Sequence, residues 1–320
     1  MSIAIDLSAI AVAGFCVATN ELKPDETMEP QTIKHMTLNS MARIIRKFKK
    51  EWGEGGIWIC CDSQGKTWRK EIFPHYKASR AKNKAKSPYD WELYYSTIHE
   101  FVSELQAHFP YHTLGIPRAE ADDIFAGLVA EHKGKHPVLI VSGDTDLYQL
   151  CSDVHPKIKM YTPIRDTFVN PGLPPHLYLK ELFIRGDVGD GLANFKSHPK
   201  TLITEGMRQV PLKTKDVERW IHQDPSEFCL TEEQTAGYQR NKTLIDFECI
   251  PADLMQQIRA TVAASKPLGT MDDVKTYLIK NNLSQIYERI DDLSPGNGTP
   301  ATARSFDAYM KATKGFGNRI

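Results

Sequence analysis

Between Glu120 and Leu150 the chain sets five carboxylates in two short groups, Glu-Ala-Asp-Asp at 120–123 and Asp-Thr-Asp at 144–146. The run Val138–Val141 has the composition of a buried parallel strand. Asp144 and Asp146 therefore fall at its carboxyl end, where open α/β sheets bind their ligands. The first group opens an apolar-periodic helix carrying Ile124, Leu128 and Val129. With 120–122 still extended, the carboxylates of Glu120 and Asp122 share a face. Asp123 enters the first helical turn, where a negative charge is favourable. Two unit charges about 4 Å apart repel by roughly 4 kcal/mol at an effective dielectric near 20. Carboxylates gathered in a cleft therefore call for protons or cations, and an oxygen-only set without His or Cys suits a hard ion such as Mg²⁺ better than zinc. Taken alone, each group reads equally well as a pair of helix caps.

The elements around these groups repeat the arrangement. Ser2–Leu7 is a short apolar strand with Asp6 near its end, and Ile57–Cys61 is a second buried strand that runs into Asp62. Three strands ending in Asp point to one acidic cleft at the carboxyl edge of a sheet. Residues 65–86 then interleave Arg69, Lys70, Lys77, Arg80, Lys82, Lys84 and Lys86 with Trp68, Phe73 and Tyr76. Cations for phosphates beside rings for stacking suit a nucleic-acid strand, though a lysine run is also an ordinary solvated helix face. Further along, Gly-Asp-Val-Gly-Asp at 186–190 holds Asp187 and Asp190, which face one way on a helical turn.

Helices are expected over 31–52, 88–109, from 120, over 174–185 and in much of 231–292, with breaks at Pro251 and Pro267. Short helices are expected within 192–222, a stretch that includes Lys196 and Lys200 as a second nucleic-acid contact. Strands at 111–114 and 157–161 complete the sheet, the latter at its edge. Alternating strands and helices imply an α/β fold with a mainly parallel central sheet flanked by helices, followed by a helical carboxyl-terminal subdomain. The expected divisions are 1–185 for the core, with 65–86 as a basic bridge, 186–293 for the helical subdomain, and 294–320 for a linker and tail.

Forty basic and forty acidic residues balance, so overall charge does not demand a nucleic-acid partner. The six cysteines show no paired spacing, which suits reduced thiols and a cytoplasmic setting. No run is apolar enough to span a membrane, and no signal peptide is visible.

The ordered set of Asp6, Asp62, a basic-aromatic segment, Glu-Ala-Asp-Asp, Asp-x-Asp and Gly-Asp-x-x-Asp resembles the 5′-nuclease superfamily of flap endonucleases and 5′→3′ exonucleases. It is most similar to the T-even phage ribonuclease H branch. Ile5-Asp6-Leu7-Ser8-Ala9, Trp68-Arg69-Lys70, Tyr76-Lys77 with Arg80, and Leu244-Ile245-Asp246-Phe247 extend the resemblance over roughly residues 3–290. The run Gly191–Lys196 lacks the Gly-Ile-Gly hairpin found in most of the superfamily.

The resemblance implies a PIN-like core and two-metal phosphodiester hydrolysis with Mg²⁺, or Mn²⁺ in its place. Asp6, Asp62, Glu120 and Asp122 would hold one ion, Asp187 and Asp190 the other, with Asp144 and Asp146 between. Asp123 would be a cap or outer support. Lys77 and Arg69 would stabilise the scissile phosphate, and Tyr76 would stack on the adjoining base, with Arg80, Lys82, Lys84, Lys86, Lys196 and Lys200 along the backbone. Substrates would be the 5′ ends of RNA–DNA hybrids, duplex DNA and flaps, cut by a monomer. The 294–320 tail would contact a sliding clamp or a single-strand DNA-binding protein. The alternatives are a non-cleaving binder of flap or fork DNA and a PIN-type ribonuclease.

Overall fold

The computed structural model describes residues 1–23, 25–132, 136–152 and 157–296, with the side chains of residues 81 and 82 outside that set. The expected partner-binding tail lies outside the described residues from 297 onward, as does the side chain of Lys82.

Among the described residues six strands form one sheet in the order β3-β2-β1-β4-β5-β6. They are β1 (Ser2–Asp6), β2 (Ile57–Cys61), β3 (His112–Gly115), β4 (Val138–Val141), β5 (Ile158–Thr162) and β6 (Thr167–Phe168). The first five run parallel and β6 is antiparallel. The strand expected at the edge is therefore interior, because a short hairpin adds β6 outside it. Both faces of the sheet are buried. On β1, Ile3 and Ile5 enter one core and Ala4 the other; on β2, Cys61 and Cys60 divide the same way. All six cysteines are free thiols.

The helices in chain order are α1 (Leu7–Glu21), α2 (Pro30–Trp52), α3 (Trp68–Ile72), α4 (Ala78–Ala85), α5 (Trp91–His108), α6 (Ala121–His132), α7 (Pro175–Arg185), α8 (Thr214–Trp220), α9 (Pro225–Phe228), α10 (Glu232–Ile245), α11 (Ala252–Ala264), α12 (Met271–Lys280) and α13 (Ser284–Tyr287). Helix α1 has no polar face to set a period, so the sequence pattern does not announce it. The stretch 192–213 is built mainly of turns rather than the short helices expected there, with only α8 following it. No described helix is long and apolar enough to cross a membrane.

Packing divides the chain differently from its sequence order. One apolar core joins one face of the sheet, α2 and α5 to Val274, Tyr277, Leu278, Ile286 and Leu293. The other face carries α6 and, outside it, Leu254, Ile258 and Val262 of α11. A third cluster unites Tyr76 with Phe183, Phe195, Trp220, Phe228, Tyr238 and Leu244. Residues 247–293 thus cover the sheet rather than extend the helical unit, and 175–245 form the third cluster together with Tyr76.

The contact of α6 with α11 depends on Gly127, where a Cβ would stand 2.3 Å from Ile258 Cγ2. Overpacking costs about 1–3 kcal/mol, whereas leaving glycine gains up to about 1 kcal/mol in a helix. We expect Gly127→Val to lose about 1–3 kcal/mol in urea unfolding; an unchanged midpoint would mean that α11 shifts freely.

Candidate active site

The strand order reverses between β1 and β4, so the loops leaving these two strands diverge and open a crevice at their carboxyl ends. Asp6 ends β1 and caps α1. Its Oδ1 accepts from the Ala9 amide at 3.1 Å and its Oδ2 from the Ser142 hydroxyl at 2.7 Å. Ser142 directly follows β4, and its hydroxyl oxygen also accepts from the Asp144 amide at 3.0 Å. One serine therefore ties the two central strand ends together across the switch point. Its signal in the sequence is only position, a small polar residue between a buried strand and an acidic pair. On the neighbouring strand, Asp62 accepts from the Ser8 hydroxyl at 2.8 Å and from the Ala121 amide, the first of α6, at 2.9 Å.

Asp122 and Asp123 both lie in the first turn of α6, which starts at Ala121. Glu120 and Asp122 are therefore not successive members of one extended face, as expected. Asp123 is fully buried and accepts from the Glu120 amide at 2.9 Å and the Trp68 indole at 3.0 Å. Asp144 caps the short 3₁₀ helix Thr145–Leu150 by accepting from the Asp146 amide at 3.0 Å. Asp187 and Asp190 meet in a turn, not on a helix. Asp187 accepts from the Gly189 amide at 2.7 Å, and the turn begins at Gly186, where φ is 68° and a Cβ would meet the Leu192 carbonyl at 2.3 Å.

The acidic side chains separate into two kinds. Glu120, Asp123 and Asp190 have cationic partners. Arg69 Nη1 lies 3.2 Å from Glu120 and 2.9 Å from Asp123, while its Nε donates to the Leu244 carbonyl at 2.8 Å. Lys77 Nζ reaches Glu120 at 2.9 Å and Asp190 at 3.7 Å. Arg80 donates to Asp190 at 2.5 Å, and the Tyr76 hydroxyl bridges Glu120 at 3.0 Å and Asp190 at 2.5 Å. Lys77 adopts a left-handed conformation, φ 57°. Its amide donates to the Asp190 carbonyl at 2.8 Å, a bond that helps hold a backbone costing on the order of 1 kcal/mol or more. Burial opposes charge on Lys77, but Asp190 and Glu120 outweigh it and raise its pKa.

Asp6, Asp122, Asp144, Asp146 and Asp187 lack such partners. Burial and mutual repulsion push all of them above the usual carboxylate range. For Asp6, burial and then Asp62 raise the pKa to about 7. Asp122 is raised by burial and by Asp144, and Asp146 by burial, Asp144 and Asp187. Among the described residues, no donor reaches the carboxylates of Asp122 or Asp146 within hydrogen-bond distance.

The folded protein therefore binds protons at these sites more tightly than the unfolded chain does. Their stabilising effect is full below the unfolded value near 4 and is lost as pH rises through the folded values. For Asp6, a rise from 3.8 to about 7 corresponds to on the order of 4 kcal/mol. In EDTA we expect the thermal midpoint to fall from pH 5 to pH 8, and saturating Ca²⁺ to flatten that slope. A midpoint that rises with pH would contradict the electrostatic account.

Among the described residues no ready-made cage of three or more His, Cys, Asp or Glu side chains converges on an ion. The fit to a cation lies instead in charge and donor type: five raised carboxylates without an ion-pair partner, oxygen donors throughout, and two of them without a proton donor. Concavity does not single out the site. A groove of about 1310 Å³ lies elsewhere, walled by Val129, Phe247, Ile250 and Met255.

Two expectations for the basic segment are corrected. Tyr76 is 3 % exposed, with its ring in the third apolar cluster and its hydroxyl spent on carboxylates, so it has no face to offer a base. Arg69 is 2 % exposed and locked between Glu120, Asp123 and Leu244, so it cannot meet a phosphate. The structure does bring Lys77 and the half-exposed Arg80 to the carboxylates. Lys84 lies over the rings of Trp91 and Tyr95, and Lys196 over Trp220 at 4.5 Å, while Lys86 and Lys200 are exposed.

Comparisons with known proteins agree with this architecture. Residues 2–171 match the family model described as the 5′-3′ exonuclease, N-terminal resolvase-like domain, and residues 175–293 match that described as T4 RNase H, C terminal. The chain is 29 % identical over 294 residues to ribonuclease H of Enterobacteria phage T4, covering 90 % of this chain and 94 % of that protein. It is 32 % identical over 161 residues to thermostable DNA polymerase I of Thermus thermophilus, covering 48 % of this chain but only 18 % of the polymerase. The fold is shared with T5 5′-exonuclease solved with divalent zinc ions, at a TM-score of 0.55 and 17 % identity over 82 % of this chain and 98 % of that one. With more than half its length inside the first family model, the chain belongs to the 5′-3′ exonuclease family of nucleases.

Proposed function

We propose that the protein is a divalent-metal-dependent 5′→3′ nuclease, acting as a monomer on 5′ ends of RNA–DNA hybrids, duplex DNA and flaps, as in RNA primer removal during phage DNA replication. The observation that carries this reading is the set of five raised carboxylates without ion-pair partners around the β1–β4 switch point, beside Lys77 and Arg80. Carboxylates that repel one another also repel phosphate, so a protein that only bound DNA would gain nothing from them. T4 ribonuclease H and T5 5′-exonuclease, by name, supply the reaction class.

Asp6, Asp62 and Asp122 would hold one Mg²⁺, Asp187 and Asp190 a second, and Asp144 and Asp146 would lie between. Glu120, engaged by Arg69, Tyr76 and Lys77, would contribute as the anchor of these cations as much as a ligand. Bound cations supply an acidified water near neutral pH and positive charge for the leaving oxygen. Lys77 stands at the boundary between the paired and unpaired acids, so its ammonium can turn from Glu120 to a scissile phosphate. Arg80, half in solvent, can take a neighbouring phosphate, and the exposed Lys86 and Lys200 lie farther along the backbone.

The deciding experiment incubates a 5′-labelled flap duplex and a 5′-labelled RNA–DNA hybrid with and without Mg²⁺. Short 5′ products that require the cation are expected. Undiminished cleavage in EDTA, or cleavage of single-stranded RNA alone, would overturn the proposal. Contact of residues 294–320 with a sliding clamp or single-strand DNA-binding protein is a separate proposal, tested by deleting them and measuring that binding.

A further inference from the structure

Gln149 lies three residues after Asp146 in the 3₁₀ turn, half-buried, and both donors and the acceptor oxygen of its amide are used. The Nε2 atom donates to the Asp146 carbonyl at 3.0 Å and to the Ile245 carbonyl at 3.1 Å, while Oε1 accepts from the Phe247 amide at 3.0 Å. Two of these bonds cross nearly a hundred residues of sequence, to the bend between α10 and α11. The third ends on the backbone of the acidic residue itself. The same bend receives Arg69 Nε through the Leu244 carbonyl, and Arg69 in turn holds Glu120 and Asp123. Residues 244–247 thus anchor both walls of the acidic cleft from behind.

We propose that Gln149 is a positioning residue for Asp146. It fixes the 3₁₀ turn against the α10–α11 bend and so holds the Asp146 carboxylate beside Asp144 and Asp187, the acids a bound cation would draw together. The argument rests on the proposed metal-dependent reading of the site. Asp146 has no donor of its own to orient its carboxylate, and its neighbours repel it. Its direction must therefore come from the backbone, which Asp144 holds at the Asp146 amide and Gln149 at the Asp146 carbonyl, and only Gln149 ties that carbonyl to the α10–α11 bend, through donors and an acceptor that no apolar or hydroxyl side chain can replace. Polar groups that orient ligands in this way are worth about ten- to a hundredfold in metal affinity.

The test measures Ca²⁺ binding to the full chain by calorimetry and by Ca²⁺-induced thermal stabilisation, comparing wild type, Gln149→Leu, Asp146→Asn and the double variant. We expect Gln149→Leu to weaken Ca²⁺ at least about tenfold and to lower kcat in Mg²⁺ with an unchanged KM for flap DNA. Gln149→Leu should have little additional effect once Asp146→Asn is present. Gln149→Glu, which keeps the acceptor for the Phe247 amide but loses both donors, should not restore affinity. If Gln149→Leu merely melts earlier and binds Ca²⁺ like wild type, the residue is structural and the proposal is overturned. A wild-type chain that binds no Ca²⁺ overturns the metal-dependent reading, and the positioning role with it.

Discussion

Asp122→Asn should lower cleavage by on the order of 10³-fold while making the metal-free protein more stable. Both effects follow from one observation. The Asp122 carboxylate is raised by burial, Asp144 and Asp6, and among the described residues it has no donor to satisfy it. An amide of the same shape removes the repulsion, so the thermal midpoint in EDTA at pH 8 rises. It also removes a negative oxygen from the cation site, so activity in Mg²⁺ falls. DNA binding measured in Ca²⁺ or EDTA should survive, since Asp122 contributes no attraction for phosphate. Asp146→Asn should behave alike, for the same reasons. Full activity in either variant would sink the mechanism. A lower midpoint in EDTA would mean that the carboxylate stabilises the cluster, contrary to the electrostatic reading.

Arg69→Met has the opposite character: the expected loss is in folding. Arg69 is 2 % exposed, lies 4.5 Å from the Trp68 ring, and is the shared cation of Glu120 and Asp123, which are 6 % and 0 % exposed. Removing one member of a buried ion set leaves its partners charged in a poor solvent, at a cost of about 3–5 kcal/mol. It also leaves the Leu244 carbonyl without its donor, at about 1 kcal/mol or more. Chemical denaturation of Arg69→Met should show this loss directly. A loss within about 0.5 kcal/mol, the range of ordinary surface substitutions, combined with a fall in turnover, would return Arg69 to the role of a phosphate ligand. Lys77→Ala then supplies the contrast. Its side chain is 16 % exposed and its ammonium borders unpaired acids, while Glu120 keeps Arg69 and Asp190 keeps Arg80, so the same assays should register it in turnover more than in stability.

Much of the sheet could be read from sequence because its strands are short apolar runs, three of them with a carboxylate at the carboxyl end. That pattern located β1, β2 and β4, and with them the acidic crevice. Periodicity failed where residues serve two masters. Helix α1 is apolar nearly all round, so it shows no face, and β6 is two residues long. The basic segment misled for a different reason. Sequence shows residue type but not burial, and Tyr76 and Arg69 have the types of a nucleic-acid contact while their polar atoms are engaged by Glu120, Asp123, Asp190 and the Leu244 carbonyl. Gln149 left no signal and Ser142 only that of its position, because what matters in each is a hydrogen bond to backbone or carboxylate across a long stretch of chain. Residues 247–293 looked like a continuation of the helical half for the same reason: helical period says that a face is buried but not against what.

That last arrangement bears on how the protein comes off the ribosome. The sheet is complete in sequence by residue 168, yet Leu254 and Ile258 close one of its cores and Tyr277, Ile286 and Leu293 the other, with the Tyr111 hydroxyl donating to the Leu293 carbonyl at 2.7 Å. A nascent chain therefore displays a formed but half-covered sheet for the time needed to add more than a hundred residues, on the order of ten seconds at bacterial elongation rates. Contacts that join the beginning and end of a chain are also slow to form. The crevice at the carboxyl ends of β1 and β4 gains its rear anchor at 244–247 only late in synthesis, so the repelling acids are brought to their final spacing after most of the protein exists.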